Sequence, residues 1–215
     1  MNVYVVYAHP SKWSFTWEVL QEFTGGLRDA GHTVEVGDLY AMDFQTDMDL
    51  EQYERETGPD PDTPVPEDVR REQEKIAQAD AIAFVYPVWW TDCPAKLKGW
   101  FDRVLTHGYS YLRGGWKDRE KPAKVHSAVV LCPAGQTEDS LERSGLAQSM
   151  RKIMLEDRIP GLGAQASQMV ILGGMTNDED GANRKRNLER AREVGLTLEQ
   201  KEALPAMCPG GPCCP

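Results

Sequence analysis

The stretch YPVWWTDCPAKLKGWFDRVL, residues 86–105, decides how this chain is read. It continues the unbroken apolar run AIAFVY at 81–86 and passes through an aromatic loop into a helix opened by Pro94. In that helix Leu97, Trp100, Phe101, Val104 and Leu105 recur at i, i+3, i+4, i+7 and i+8, the spacing of one buried face. Loops at the carboxyl ends of strands in open α/β sheets are where such folds bind ligands. Trp89 and Trp90 give this loop flat π surface and an N–H donor each, which suits a planar aromatic cofactor. The alternative is that they cap the core.

The same alternation runs outward in both directions. NVYVVY at 2–7 is a β-branched and aromatic run, followed by the polar loop AHPSKWS. Phe15, Val19, Phe23 and Leu27 mark one helical face, which Gly31 closes, and TVEVGD at 33–38 is a second strand. A polar helix over 66–80 opens on Pro66 and acidic residues. SAVVLC at 127–132, a helix over about 140–157, MVILGG at 169–174 and a charged helix over about 178–200 complete the series. Strands alternating with helices predict an α/β fold, a doubly wound five-stranded parallel sheet of order 2-1-3-4-5, with its crevice at the first and third strands.

One domain over 1–200 is expected, followed by a flexible tail at 201–215 rich in Cys, Pro and Gly. Residues 40–65 break the rhythm with a long acidic excursion, either a solvated flap or a functional loop.

Composition excludes several classes. The 215 residues carry a net charge of −10, which argues against nucleic acid as a partner. No apolar stretch approaches the roughly 20 residues that span a bilayer. The N-terminus enters a strand without a basic lead, so a cytoplasmic protein with no membrane insertion is expected. Five cysteines cannot all pair within the chain, and no His or Cys spacing predicts a metal site. There is no GxGxxG, GxxxxGK[ST] or GxSxG, so a Rossmann fingerprint, a P-loop and a nucleophile elbow are all absent.

Three loops, 8–14, 87–94 and 133–139, should converge at the carboxyl edge of the sheet. HPSKWSFT leads into a helix N-terminus, where free amides and the helix dipole attract a phosphate. Ser11, Ser14 and Thr16 could add hydroxyls, although Ser14 also suits an N-cap. His9 fits a hydrogen-bonding partner better than a general base.

Together these pieces resemble the flavodoxin-like NAD(P)H:quinone oxidoreductase family, which includes mammalian quinone reductase and bacterial drug-activity modulators. The resemblance runs from about 3 to 190 and rests on YAHPSKWSFT at 7–16, DLYAMDF at 38–44, EQEKIAQAD at 72–80 and YPVWWTDCPAKLKGWFDRV at 86–104. It implies a flavin enzyme in which NAD(P)H binds over the flavin, transfers hydride to N5 and leaves. A quinone-like acceptor then takes its place, giving ping-pong kinetics. Carried over by position, His9, Ser14, Phe15 and Thr16 would hold the phosphate end. Pro87, Val88, Trp89 and Trp90 would line the isoalloxazine, with Ala134, Gly135 and Gln136 as a third wall. Arg184 matches an arginine that helps the adenosine half in FAD-using relatives, so the implied flavin is FAD, with FMN as the alternative.

The family also implies a homodimer with its active site at the interface, where Tyr109, Tyr111 and Trp90 would meet the substrate. The acidic excursion would then pack near the partner's cofactor. Two departures bear on acceptor choice. The Tyr and His relay of mammalian quinone reductase falls here on Leu141 and Ala147, and PAGQ replaces its TTGG loop. Cys93 either approaches the flavin or packs. Two other functions are compatible with the resemblance: a regulatory subunit of a potassium-efflux system, or an electron carrier resembling flavodoxin.

Overall fold

The computed structural model describes residues 1–113, 115, 122, 124–176 and 178–198. Asn2–Tyr7 (β1), Thr33–Asp38 (β2), Ala81–Val85 (β3), Ser127–Pro133 (β4) and Ala166–Leu172 (β5) form one sheet of order β2-β1-β3-β4-β5, every neighbour parallel. That is the expected doubly wound order. Its helices are Phe15–Asp29 (α1), Leu50–Thr57 (α2), Glu67–Gln78 (α3), Ala95–Val104 (α4), Glu138–Arg143 (α5), Leu146–Arg151 (α6) and Ala182–Leu196 (α7).

Strand alternation splits the core in two. Val3, Val5 and Tyr7 face one side of β1 and pack with Val19, Leu20, Phe23 and Leu27 of α1. Tyr4 and Val6 face the other side, with Leu97, Trp100 and Phe101 of α4. β1, β3 and β4 are buried on both faces, which is why they read as continuous apolar runs. On the first side α1 and α7 cross very closely. A Cβ on Gly26 would stand 2.3 Å from the Arg192 carbonyl oxygen, and one on Gly195 2.3 Å from that of Phe23.

A buried polar cluster fixes the other side. The Glu72 carboxylate, fully buried on α3, accepts from the Tyr4 hydroxyl at 2.5 Å, from Trp100 Nε1 at 2.8 Å and from Lys75 Nζ at 2.7 Å. One carboxylate thereby ties β1, α3 and α4 together.

The structure differs from the sequence expectations in three elements. The helix expected over 140–157 is broken at Gly145, whose φ of 77° ends α5 and starts α6. Beyond α6 the chain widens into a π-helical segment, Lys152–Arg158, and a 3-10 turn, Ile159–Leu162. β5 begins at Ala166, because its ladder with β4 extends through Ser167 and Gln168, whose exposed polar side chains hide the strand. The last helix starts at Ala182, after the Asp178 carboxylate takes the Asn183 and Arg184 amides at 2.8 and 2.7 Å.

The acidic excursion is neither free nor structureless. Its helix α2 is capped by Asp49, and buried Gln52 exchanges two 2.8 Å hydrogen bonds with Arg103 of α4. The tail expected to be flexible at 201–215, with Cys208, Cys213 and Cys214, lies outside the described residues.

Candidate functional site

Hydrogen bonds that continue the ladders past the strand ends bring the three loops together. Ala8 N donates to Val85 O at 3.1 Å, Tyr86 N to Leu131 O at 3.3 Å, Val88 N to Pro133 O at 2.8 Å and Ala134 N to Leu172 O at 3.1 Å. Residues 8–14, 86–94 and 133–139 therefore stand side by side at the carboxyl edge.

In the first loop Ser14 caps α1. Its hydroxyl accepts from Trp17 N at 3.2 Å and donates to Ser11 O at 2.9 Å, so the cap occupies both functions of that hydroxyl. The Phe15 and Thr16 amides make no hydrogen bond among the described residues, as the first turn of a helix leaves them. The Thr16 side chain is buried. Tyr7, at the end of β1, has a buried hydroxyl without a hydrogen bond, although Ser14 lies close by.

His9 Nδ1 lies 3.0 Å from Ser11 N and 3.1 Å from Ser11 O. An amide only donates and a carbonyl only accepts, so Nδ1 accepts from the Ser11 amide when bare and donates to the Ser11 carbonyl when protonated. Burial lowers the His9 pKa below 6.5, and the Ser11 backbone opposes this only in part. The ring meets Trp89 edge to face, centroids 5.9 Å apart.

The second loop is a two-residue hairpin. Trp89 and Asp92 exchange both backbone hydrogen bonds, at 3.0 and 3.2 Å, around Trp90 with φ 50° and Thr91 with φ 66°. Such turns favour Asn-Gly, and a non-glycine residue held there costs on the order of 1–3 kcal/mol. Val88, Trp89, Asp92 and Cys93 all spend their amides within the protein. The amides of Trp90 and Thr91 are the loop's free ones among the described residues. Trp90 stands fully in solvent at 101% exposure, and Trp89 is 43% exposed, so neither caps the core.

The third wall is rigid backbone. Ala134, Gly135 and Gln136 accept, through their carbonyls, from Met175, Thr176 and Gly174 at 3.1, 3.1 and 2.8 Å. Leu141 and Ala147 are buried apolar residues, and no relay can run through them.

Other expected residues separate. Tyr109 turns inward, buried with its hydroxyl 3.4 Å from Gln73 O, which is packing within its own chain. Tyr111 is 42% exposed and donates to Glu56 at 3.2 Å. Arg184 stacks over Phe15, 5.4 Å from the ring centroid, and pairs with Glu18, so it sits at the start of α1. Cys93 is buried, and burial, reinforced by the Asp92 charge, pushes its thiol up to about 12. A packing role fits such an inert thiol.

Two supporting groups were not foreseen. Arg158, in the π-helical segment, grips Asp92 with both terminal nitrogens, at 2.8 and 2.9 Å. Glu56 of the excursion accepts from the His107 amide at 2.7 Å as well as from Tyr111, while Arg55 donates to His107 O at 3.0 Å. No spacing signals either group, because each joins residues more than 50 positions apart.

This edge fits a flavin. It offers unpaired helix-start amides for a phosphate, the imidazole of His9, the free amides of a strained turn, and bare aromatic surface. No group of three or more metal-ligating side chains occurs among the described residues, and no described helix is long and apolar enough to cross a membrane.

A doubly wound sheet with such a cradle at its switch point defines the flavodoxin-like class of proteins. A family model described as Flavodoxin-like fold matches residues 1–194. A protein named NAD(P)H:quinone oxidoreductase from Methanothermobacter marburgensis superposes with a TM-score of 0.87 and is 51% identical, covering 94% of this chain and 98% of its own. An uncharacterized NAD(P)H oxidoreductase from Haemophilus influenzae is 29% identical across 94% of this chain and 100% of its own length. The ribosyldihydronicotinamide dehydrogenase [quinone] of Rattus norvegicus is 34% identical over 170 residues, 70% of each chain. The chain belongs to the flavodoxin-like NAD(P)H:quinone oxidoreductase family.

Proposed function

We propose that this chain is a flavin-dependent NAD(P)H dehydrogenase (quinone)-like oxidoreductase with its active site at the carboxyl edge of the sheet. One observation carries the reading: the free amides of Phe15 and Thr16 and the exposed aromatic turn 89–92 meet across His9, which contacts both loops. A flavin bound there supplies hydride acceptance and donation.

The chain's own residues then do the positioning. Phe15 N, Thr16 N and the His9 ring would hold the phosphate, with the α1 dipole favouring its charge. Trp90 N and Thr91 N would hold the polar edge of the ring system, and Trp89 and Trp90 would cover its apolar body. Gly135 and Gln136 close the far side with amides that make no hydrogen bond among the described residues. NAD(P)H and a quinone-like acceptor share one crevice, so each must leave before the other enters. Tyr111 stands ready to contact the acceptor, whereas Tyr109 stays in the core.

The flavin we favour is FMN. One phosphate satisfies the cradle, and Arg184, engaged by Glu18 and Phe15, is not free for an adenosine half. Acid release of the bound flavin separates FMN from FAD. The bare aromatic surface of Trp90 and Trp13 at the edge is covered, in this reading, by a second copy in a cytoplasmic homodimer. Initial rates with NADPH or NADH against a water-soluble naphthoquinone test the mechanism. Parallel double-reciprocal lines are expected; intersecting lines contradict the shared crevice.

A further inference from the structure

The turn 89–92 poses a physical problem. Trp90 and Thr91 both hold positive φ without being Gly, Asn or Asp, and the same two residues own the loop's free amides. A strained conformation persists only where its surroundings over-determine it. On one arm Val88 N is tied to Pro133 O at 2.8 Å. The other arm depends on Asp92, whose carboxylate takes the Cys93 amide at 2.7 Å and both terminal nitrogens of Arg158.

Arg158 is itself held from several sides. It is 9% exposed, its guanidinium lies 5.4 Å from the Phe101 ring centroid, and Nη1 reaches Cys93 Sγ at 3.4 Å. It ends the π-helical segment Lys152–Arg158, where the extra residue per turn changes the direction in which side chains leave the helix. Irregularity of this kind is concentrated at functional sites.

We propose that Arg158 is a positioning residue of the flavin site: its forked pair with Asp92 holds the strained Trp90–Thr91 turn, and with it the two free amides and the Trp90 ring. The inference rests on the flavin reading above. An ion pair that merely joins the segment 152–158 to the loop would add stability without coupling to the turn's strain. The two roles therefore differ in what happens when the strain is removed.

Thr91→Gly removes the Thr91 share of it, since glycine adopts positive φ without penalty. FMN, and separately FAD, is titrated into the flavin-free full-length chain and followed by flavin fluorescence, for the wild type, Arg158→Met, Arg158→Lys and Arg158→Met/Thr91→Gly. Arg158→Met is expected to weaken binding about tenfold, equivalent to about 1.4 kcal/mol. Arg158→Lys, with a point charge in place of the fork, recovers part of that loss. The double variant returns to within about threefold of the wild type. Wild-type affinity in Arg158→Met, or a double variant no better than Arg158→Met, overturns the proposal.

Urea midpoints of the same flavin-free proteins give an independent answer, and they decide whether the Arg158–Asp92 pair holds the turn even where the wild type takes up no flavin and the parent reading fails. Thr91→Gly must stabilise the wild type more than it stabilises Arg158→Met, whose turn has already relaxed. Equal effects overturn the coupling. Asp92→Asn, which weakens the same pair from its other end at constant size, replaces Arg158→Met should that variant not fold.

Discussion

Trp90 and Trp100 lie ten residues apart in the same decisive stretch, yet the protein uses them in opposite ways. Trp100 is 0% exposed, packed edge to face on Phe84, with its indole N–H on Glu72 at 2.8 Å. Trp90 stands wholly in solvent on a strained turn. Helical periodicity put Trp100 in the core, and departure from any periodicity left Trp90 out. The difference teaches that this chain spends one set of aromatics on folding and keeps another bare at the edge where we place the chemistry.

The comparison is most easily broken by stability. Trp100→Ala should cost about 3–5 kcal/mol, read as a fall in the urea midpoint. Trp90→Ala should stay within about 0.5 kcal/mol of the wild type, while flavin binding falls. Equal destabilisation by the two changes would show that Trp90 is structural after all.

Next in size is the carboxylate behind Trp100. Glu72→Ala strands the Trp100 and Tyr4 donors and the Lys75 ammonium beside them. A loss of about 3 kcal/mol is expected, the low end for breaking a buried pair because Lys75 keeps some solvent. Unchanged thermal stability would deny that this cluster anchors α3 and α4.

A smaller effect sharpens the functional side. Glu56→Ala releases the Tyr111 hydroxyl and the His107 amide, at about 1–3 kcal/mol of stability. If Tyr111 contacts the acceptor as proposed, the KM for the quinone should rise several-fold with kcat nearly kept. A fall in kcat alone would place Tyr111 elsewhere in the reaction.

The smallest effect is one of pH. Burial raises the Asp92 pKa, but the Arg158 guanidinium and the Cys93 amide outweigh it and hold the carboxyl below its ordinary 3.8. A depressed carboxylate contributes stability that is present above the unfolded value and is lost as pH falls through the folded one. Wild type should therefore lose stability below about pH 4 more steeply than Asp92→Asn. Matching acid profiles would show that the pair contributes nothing.

How much of this was legible in the sequence follows from the range of each interaction. The strand order, both core faces and the carboxyl-edge loops came from local periodicity, which β1, α1, β3 and α4 display within single windows. His9, Ser14 and the Trp89–Trp90 pair were visible as loop chemistry. Arg158 was not, because it sits 66 residues from Asp92, just past what reads as a regular helix. The inward turn of Tyr109 and the tying of the excursion by Glu56 were hidden for the same reason. Both depend on contacts between distant segments.

The visible spectrum of the purified protein tests the central claim most directly. Bands at roughly 370 and 450 nm, bleached by NADPH and restored by a quinone, are the result this account predicts. A colourless protein that takes up neither FMN nor FAD would contradict it and leave the carboxyl edge without its proposed chemistry.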